Sequence, residues 1–370
     1  MVIRVKSTLR WAAAVGMTTL LSSCTATTES TISTEAAIST QDDKLQVVTT
    51  FLPMTAFTEA VVGVGEVPAD ELRAEVIQLL PASVDPHDYQ AKPQDVQRLA
   101  QADVLIKNGL SFELFLSDLI ANVSGDDLIV VDASEGIDPI LVADYADDKA
   151  HEDEGHQHDD HGHGDHGHGD HGHGDHDHDH ESGDHDSHDH GPEDPHVWLD
   201  PKKAIQQVEN IRDALVAADP EGKSVYEANA ADYIEQLQAL DRKMTEMLAP
   251  YEGKTFVTHH DFADYFARSY GLNVEYLVDA PEQSAAPGDV LNVIEVVKAS
   301  NLKTLLSEPG GQEGSFEAIA QEAGVSVSVF DPLETSGETN GMEVSASDYY
   351  LTVMNQNLEN LMAAFSQVTP

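Results

Sequence analysis

The chain has 370 residues, with 67 Asp and Glu against 19 Lys and Arg, for a formal net charge of −48. That length allows two domains of ordinary size, and that charge excludes a nucleic-acid partner, which would need basic surface. Cys24 is the single cysteine, so disulfides within the chain are excluded too.

Arg4, Lys6 and Arg10 form a basic start, and Trp11 to Leu21 an apolar run too short for a membrane span. The run ends in Leu21-Ser22-Ser23-Cys24, which resembles a bacterial lipobox. Residues 1–23 are therefore read as a lipoprotein signal peptide and Cys24 as the lipidated residue. The mature protein is expected outside the cytoplasm, in the periplasm or at the outer cell surface, tethered to a membrane. Residues 24–44, rich in Thr, Ser, Glu and Ala, read as a flexible stalk.

From Leu45 onward, short β-branched runs alternate with helical patterns. Expected strands are 45–51, 75–80, 104–106 and 128–131, with helices starting near Ala56, Gln94 and Phe112. After an interruption the pattern resumes with a helix over 204–218 and a long one over 221–249. The long helix repeats Tyr226, Tyr233, Leu237, Leu240, Met244 and Met247 at close to period 3.5 and would span roughly 43 Å. Further strands are expected at 255–258, 274–278, 304–307 and 325–330, with helices at 262–270, 289–300, 315–323 and 346–365. Such alternation points to α/β lobes with parallel sheets. The expected architecture is two lobes, each a mainly parallel four-stranded sheet flanked by helices. The N-terminal lobe covers 45–220, one long rigid helix 221–249 joins the lobes, and the C-terminal lobe covers 250–370.

The interruption, about 146–193, is made almost only of His, Asp, Glu and Gly. From His151 to His190 it holds 15 of the 19 histidines, 14 acidic residues and no Lys or Arg. A unit H-G-H-G-D repeats three times from His161 to Asp175. Such a tract has no apolar residues with which to build a core and is expected to be disordered without metal. Imidazole suits zinc, copper and nickel, so His161, His163, His166, His168, His171, His173, His176, His178 and His180 are read as accessory metal ligands.

Four polar residues outside the tract stand at matching places. His87 follows the second strand in Asp85-Pro86-His87, and His196 lies in Asp194-Pro195-His196. His260 sits just past the strand ending at Thr258, and Asp331 follows the strand ending at Phe330. In open parallel sheets, ligands bind beyond the carboxyl ends of the strands. Facing lobes would gather three imidazoles and one carboxylate, a set suited to tetrahedral zinc. Pro86 and Pro195 stiffen the turns that aim their histidines. His259 should point to the opposite face from His260, Glu308 is a reserve carboxylate, and Trp198 reads as packing.

With these motifs in place, the chain resembles the zinc-type substrate-binding proteins of bacterial ABC transporters, cluster A-I. The likeness runs from Leu45 to Phe365. It rests on D-P-H-D-Y at Asp85 to Tyr89, Lys92-Pro93, Asn108-Gly109, D-P-H-V-W-L-D-P from Asp194, H-D-F-A-D-Y-F from His260 and Asp331-Pro332. The resemblance implies that His87, His196 and His260 bind the metal, with Asp331 a fourth ligand or a near neighbour replaced by water. Manganese members of that family carry Glu where this chain has His260. The implied function is capture of Zn2+ in the interlobe cleft and delivery to an ABC permease with its ATPase, by a monomer, with the His-rich loop gathering or sensing zinc. A zinc buffer acting without a permease is the alternative. A metal hydrolase is the weakest reading, because no H-E-x-x-H string occurs; the expectation is no enzyme.

Overall fold

A computed structural model describes residues 44–87, 89–123, 128–141, 193–278, 285–309, 313–335 and 345–366. The signal peptide, Cys24, nearly all of the stalk and the whole His-rich tract with its nine named histidines lie outside the described residues.

The first half contains β1 (Leu45–Thr49), α1 (Leu52–Val62), β2 (Ala74–Gln78), α2 (Pro93–Leu99), β3 (Val104–Lys107), α3 (Leu116–Asn122) and β4 (Ile129–Asp132). All pairings are parallel, in the order β2-β1-β3-β4. The central strand β3 is buried at Val104, Leu105 and Ile106, as expected for a parallel strand covered on both faces. α1 ends at Gly63, whose φ of 89° only glycine adopts freely. A Cβ there would lie 2.7 Å from Asn229 Nδ2, so the glycine also permits the close approach of the long helix.

Next come α4 (Pro201–Ala218) and the long helix α5 (Lys223–Leu248). At 26 residues, α5 spans about 39 Å. Its buried stripe is Tyr226, Ala230, Tyr233, Leu237, Leu240, Met244 and Leu248, the i, i+3/i+4 pattern of one helix face. It connects the halves in sequence and packs along α1, α4 and the C-terminal helix. Met247 of the expected stripe is only partly buried, and Leu248 takes the buried position in its place.

The second half holds β5 (Thr255–His260), α6 (Asp264–Ser269), β6 (Asn273–Val278), α7 (Pro287–Ala299), β7 (Thr304–Ser307), α8 (Glu313–Ala323), β8 (Ser326–Val329) and α9 (Ala346–Ser366). Its four strands come as two parallel ladders, β5–β6 and β7–β8, with β5 alongside β7. Among the described residues, the ladder hydrogen bonds do not join these pairs into the single four-stranded sheet expected.

One apolar core runs through both halves, from Val47, Leu105 and Trp198 to Phe256, Phe330, Leu333 and Tyr350. A second lies under β5–β8, around Val257, Leu305 and Phe316. A small third cluster, Ile137, Ile140, Val197 and Tyr265, joins residues of both halves beside the site. No helix among the described residues is long and apolar enough to cross a membrane.

Candidate metal centre

The loops that carry the site share one local device. In Asp85-Pro86-His87 the Asp85 carboxylate accepts from the His87 amide at 2.9 Å. In Asp194-Pro195-His196 the Asp194 carboxylate does the same for His196 at 2.9 Å. Asp200 accepts from Lys202 N at 3.0 Å and so caps α4. Asp331 accepts from Leu333 N at 2.8 Å. Each is an Asx turn, with proline fixing the middle φ. Twice the residue so aimed is a histidine.

Other contacts support these turns. Asn108, just after β3, donates through Nδ2 to Pro195 O at 2.9 Å. Gly109 follows with φ 94°, and a Cβ there would sit 2.1 Å from Asp132 Oδ1. The buried Glu113 accepts from the amides of Asn108 and Gly109 and from the Thr50 hydroxyl. This brings the Phe112 ring edge-on to His87, 5.2 Å between centroids. Trp198 is packing, as expected, but packing that spans the halves. Its indole donates to Pro332 O at 2.8 Å, and Tyr350 donates to its carbonyl at 2.6 Å.

The cluster itself consists of His87, His196, His260 and Glu334, whose potential ligand atoms all lie within 4.8 Å of one another. Glu334 Oε1 is 3.1 Å from His87 Nε2, 3.2 Å from His196 Nε2 and 3.5 Å from His260 Nε2. These side chains are at most 4% exposed. The Nε2 atoms of His196 and His260 are buried and not aligned to hydrogen-bond any protein group. Their Nδ1 atoms are occupied: Asp194 holds that of His196 at 2.8 Å, and Glu308 that of His260 at 2.7 Å. A carboxylate behind an imidazole fixes ring orientation and tautomer and leaves the other nitrogen free for a metal.

The three histidines expected together are brought together, and Asp331 is not among them. Its carboxylate is used in the turn to Leu333, and burial pushes its pKa up to about 6. Leu333 then adopts φ 63°. That left-handed step sends Glu334, unnoticed in the sequence, into the cluster. The reserve carboxylate Glu308 supports His260 from behind. His259 faces away, with its ring edge-on to Phe316 in the second core.

The charges within the cluster are tightly linked. Burial is the largest effect on His196 and pushes its pKa down. The carboxylates of Asp194 and Glu334 together outweigh it and carry the group up to about 9. His260 is likewise raised well above the usual imidazole range, with Glu308 and Glu334 overcoming burial. Burial alone would raise Glu334, but the surrounding imidazoles hold it well below the usual carboxylate range. Metal ligation needs neutral imidazoles, so an ion held by this cluster would compete with the protons that Asp194, Glu308 and Glu334 favour on His196 and His260.

The family model described as zinc-uptake complex component A, periplasmic, matches residues 47–364. The chain belongs to this family. Among relatives of ZnuA type, the high-affinity zinc uptake system protein ZnuA of Bacillus subtilis is 30% identical over 323 residues. That match covers 86% of this chain and 87% of the relative. The zinc-binding protein AdcA of Streptococcus pyogenes is 31% identical over 321 residues, covering 86% of this chain but 56% of AdcA. The chain thus spans about half the length of the AdcA relatives it matches. The solved structure of Zn(II)-bound AdcA from Streptococcus pneumoniae superposes with a TM-score of 0.64 at 28% identity. It covers 88% of this chain and 59% of that one. A crystal structure of ZnuA, at 24% identity and a TM-score of 0.65, covers 88% of this chain and all of its own, and shares the fold.

Proposed function

We propose that the protein captures Zn2+ outside the cytoplasm and passes it to an ABC permease driven by an ATPase. The cluster of His87, His196, His260 and Glu334, with the buried Nε2 atoms of His196 and His260 turned toward the Glu334 carboxylate, carries this reading. Three imidazoles and one carboxylate suit zinc in tetrahedral coordination. The site sits beyond the carboxyl ends of parallel strands, between the halves, where a small movement can open or close it. Membership of a zinc-uptake family and relatives named for zinc binding support transport over catalysis. Lipid on Cys24 would hold the protein at the membrane that carries the permease, and a relative is named a zinc-binding lipoprotein.

The His-rich tract is proposed to gather zinc for the cleft. Its sites should be several, weak and fast, because ordering a loose backbone opposes binding. Zinc titration of the full chain and of a form lacking residues 151–190 tests both parts at about pH 7.5, above the imidazole pKa. The full chain should bind several equivalents and the shortened form one, tightly. Equal stoichiometry would exclude the tract, and loss of the tight equivalent on deletion would exclude the cleft.

A further inference from the structure

The two legs of the segment that carries the His-rich tract meet beside the metal centre. Ile140 O accepts from Asp194 N at 2.9 Å, and Leu141 and Glu193 form an antiparallel bridge. A single hydroxyl from the other half holds both legs. Tyr265, on α6, accepts from Ile140 N at 2.9 Å and donates to Asp194 O at 3.0 Å. Its ring is 4% exposed and packed with Ile137, Ile140 and Val197. Asp194, whose carbonyl is gripped, also holds His196 Nδ1 through its carboxylate at 2.8 Å. An unbroken series of bonds therefore runs from the second half, through the root of the segment, to one imidazole of the cluster.

We propose that the Tyr265 hydroxyl is a latch that sets how fast zinc leaves the cleft. This rests on the zinc-capture reading above. For an ion held by His87, His196, His260 and Glu334 to leave, the halves must part or His196 must swing away. Parting the halves breaks both bonds of the hydroxyl, and a turn of His196 breaks its bond to Asp194. The latch therefore opposes release more than capture, since the open form has already lost these bonds. Tyr265 is a positioning residue: it does not touch the ion.

The test is Tyr265→Phe in the full chain. Phenylalanine keeps the ring in the Ile137–Ile140–Val197 cluster and removes only the hydroxyl. Zinc release is followed by stopped flow into excess chelator, and the slowest phase is read as the cleft. That phase should accelerate on the order of tenfold, the scale of a buried hydrogen-bonded pair lost from the closed form. Cobalt(II) absorption should stay that of the wild type, because the donor set is intact. A lost buried bond lowers melting temperature whatever the role of Tyr265, so the release rate decides. A slowest phase within about twofold of wild type overturns the latch. A wild type with no slow phase overturns the zinc-capture reading itself, which separates the two failures.

Discussion

His260→Ala, in the protein lacking residues 151–190, is expected to weaken zinc binding well beyond the roughly 10- to 100-fold that outer residues of a metal site typically cost. His260 is fully buried, its Nδ1 is held by Glu308, and its Nε2 is aimed at the cluster with no other partner. The alanine removes a strong nitrogen ligand, and water is a poor replacement for it. It also leaves Glu308 buried without the imidazole it was holding. Competition against a chelator of known zinc affinity reads the loss. An affinity within about tenfold of the unmutated form would remove His260 from the ligand set.

Glu334→Gln should be nearly as damaging, and it should alter the pH response of the metal-free protein. Among the described residues, the Glu334 carboxylate is the one anion in contact with all three imidazoles. Zinc affinity should fall on the order of 100-fold or more, because a charged ligand is replaced by a weak neutral one. In the metal-free wild type, His196 is raised from 6.5 to about 9. Its contribution to stability is fully present below pH 6.5 and is lost as pH rises through about 9. Glu334 contributes in the opposite sense: its lowered pKa makes its share present above about 4.5 and lost only in stronger acid. The metal-free wild type should therefore melt at lower temperature at about pH 9 than at about pH 6.5, and Glu334→Gln should flatten that slope. Calorimetry at the two pH values checks it; identical slopes would mean that Glu334 does not set the imidazole charges. Asp331→Asn, which can keep the turn to Leu333, should change zinc affinity far less than either substitution.

Much of this was legible from residue order. The strands and helices fell where β-branched runs and 3.6-period stripes placed them, because those patterns reflect burial on two faces or on one. The histidines were legible because D-P-H fixes a turn and strand ends in parallel sheets gather at one edge. Glu334 was not, for a local reason. The sequence invites Asp331 as a ligand because it directly follows a strand. Yet Asp331-Pro332 repeats the device of Asp85-Pro86 and Asp194-Pro195, in which Asp forms the turn and a later residue does the chemistry. Read in that register, Asp331 corresponds to Asp85 and Asp194, not to His87 and His196. What remains hidden even then is the left-handed Leu333, φ 63°, since nothing about a leucine announces a conformation that tertiary packing imposes. The Tyr265 clasp was equally hidden, because its partners are backbone atoms far away in sequence.

X-ray absorption at the zinc edge, on the form lacking residues 151–190 loaded with one equivalent, reads the donor set of the cleft. A site built from His87, His196, His260 and Glu334 should give a four-coordinate zinc at about 2.0–2.1 Å from its ligands, with the multiple-scattering signature of three imidazoles and one oxygen ligand. One imidazole or none, or a six-coordinate shell of oxygen atoms, would contradict it.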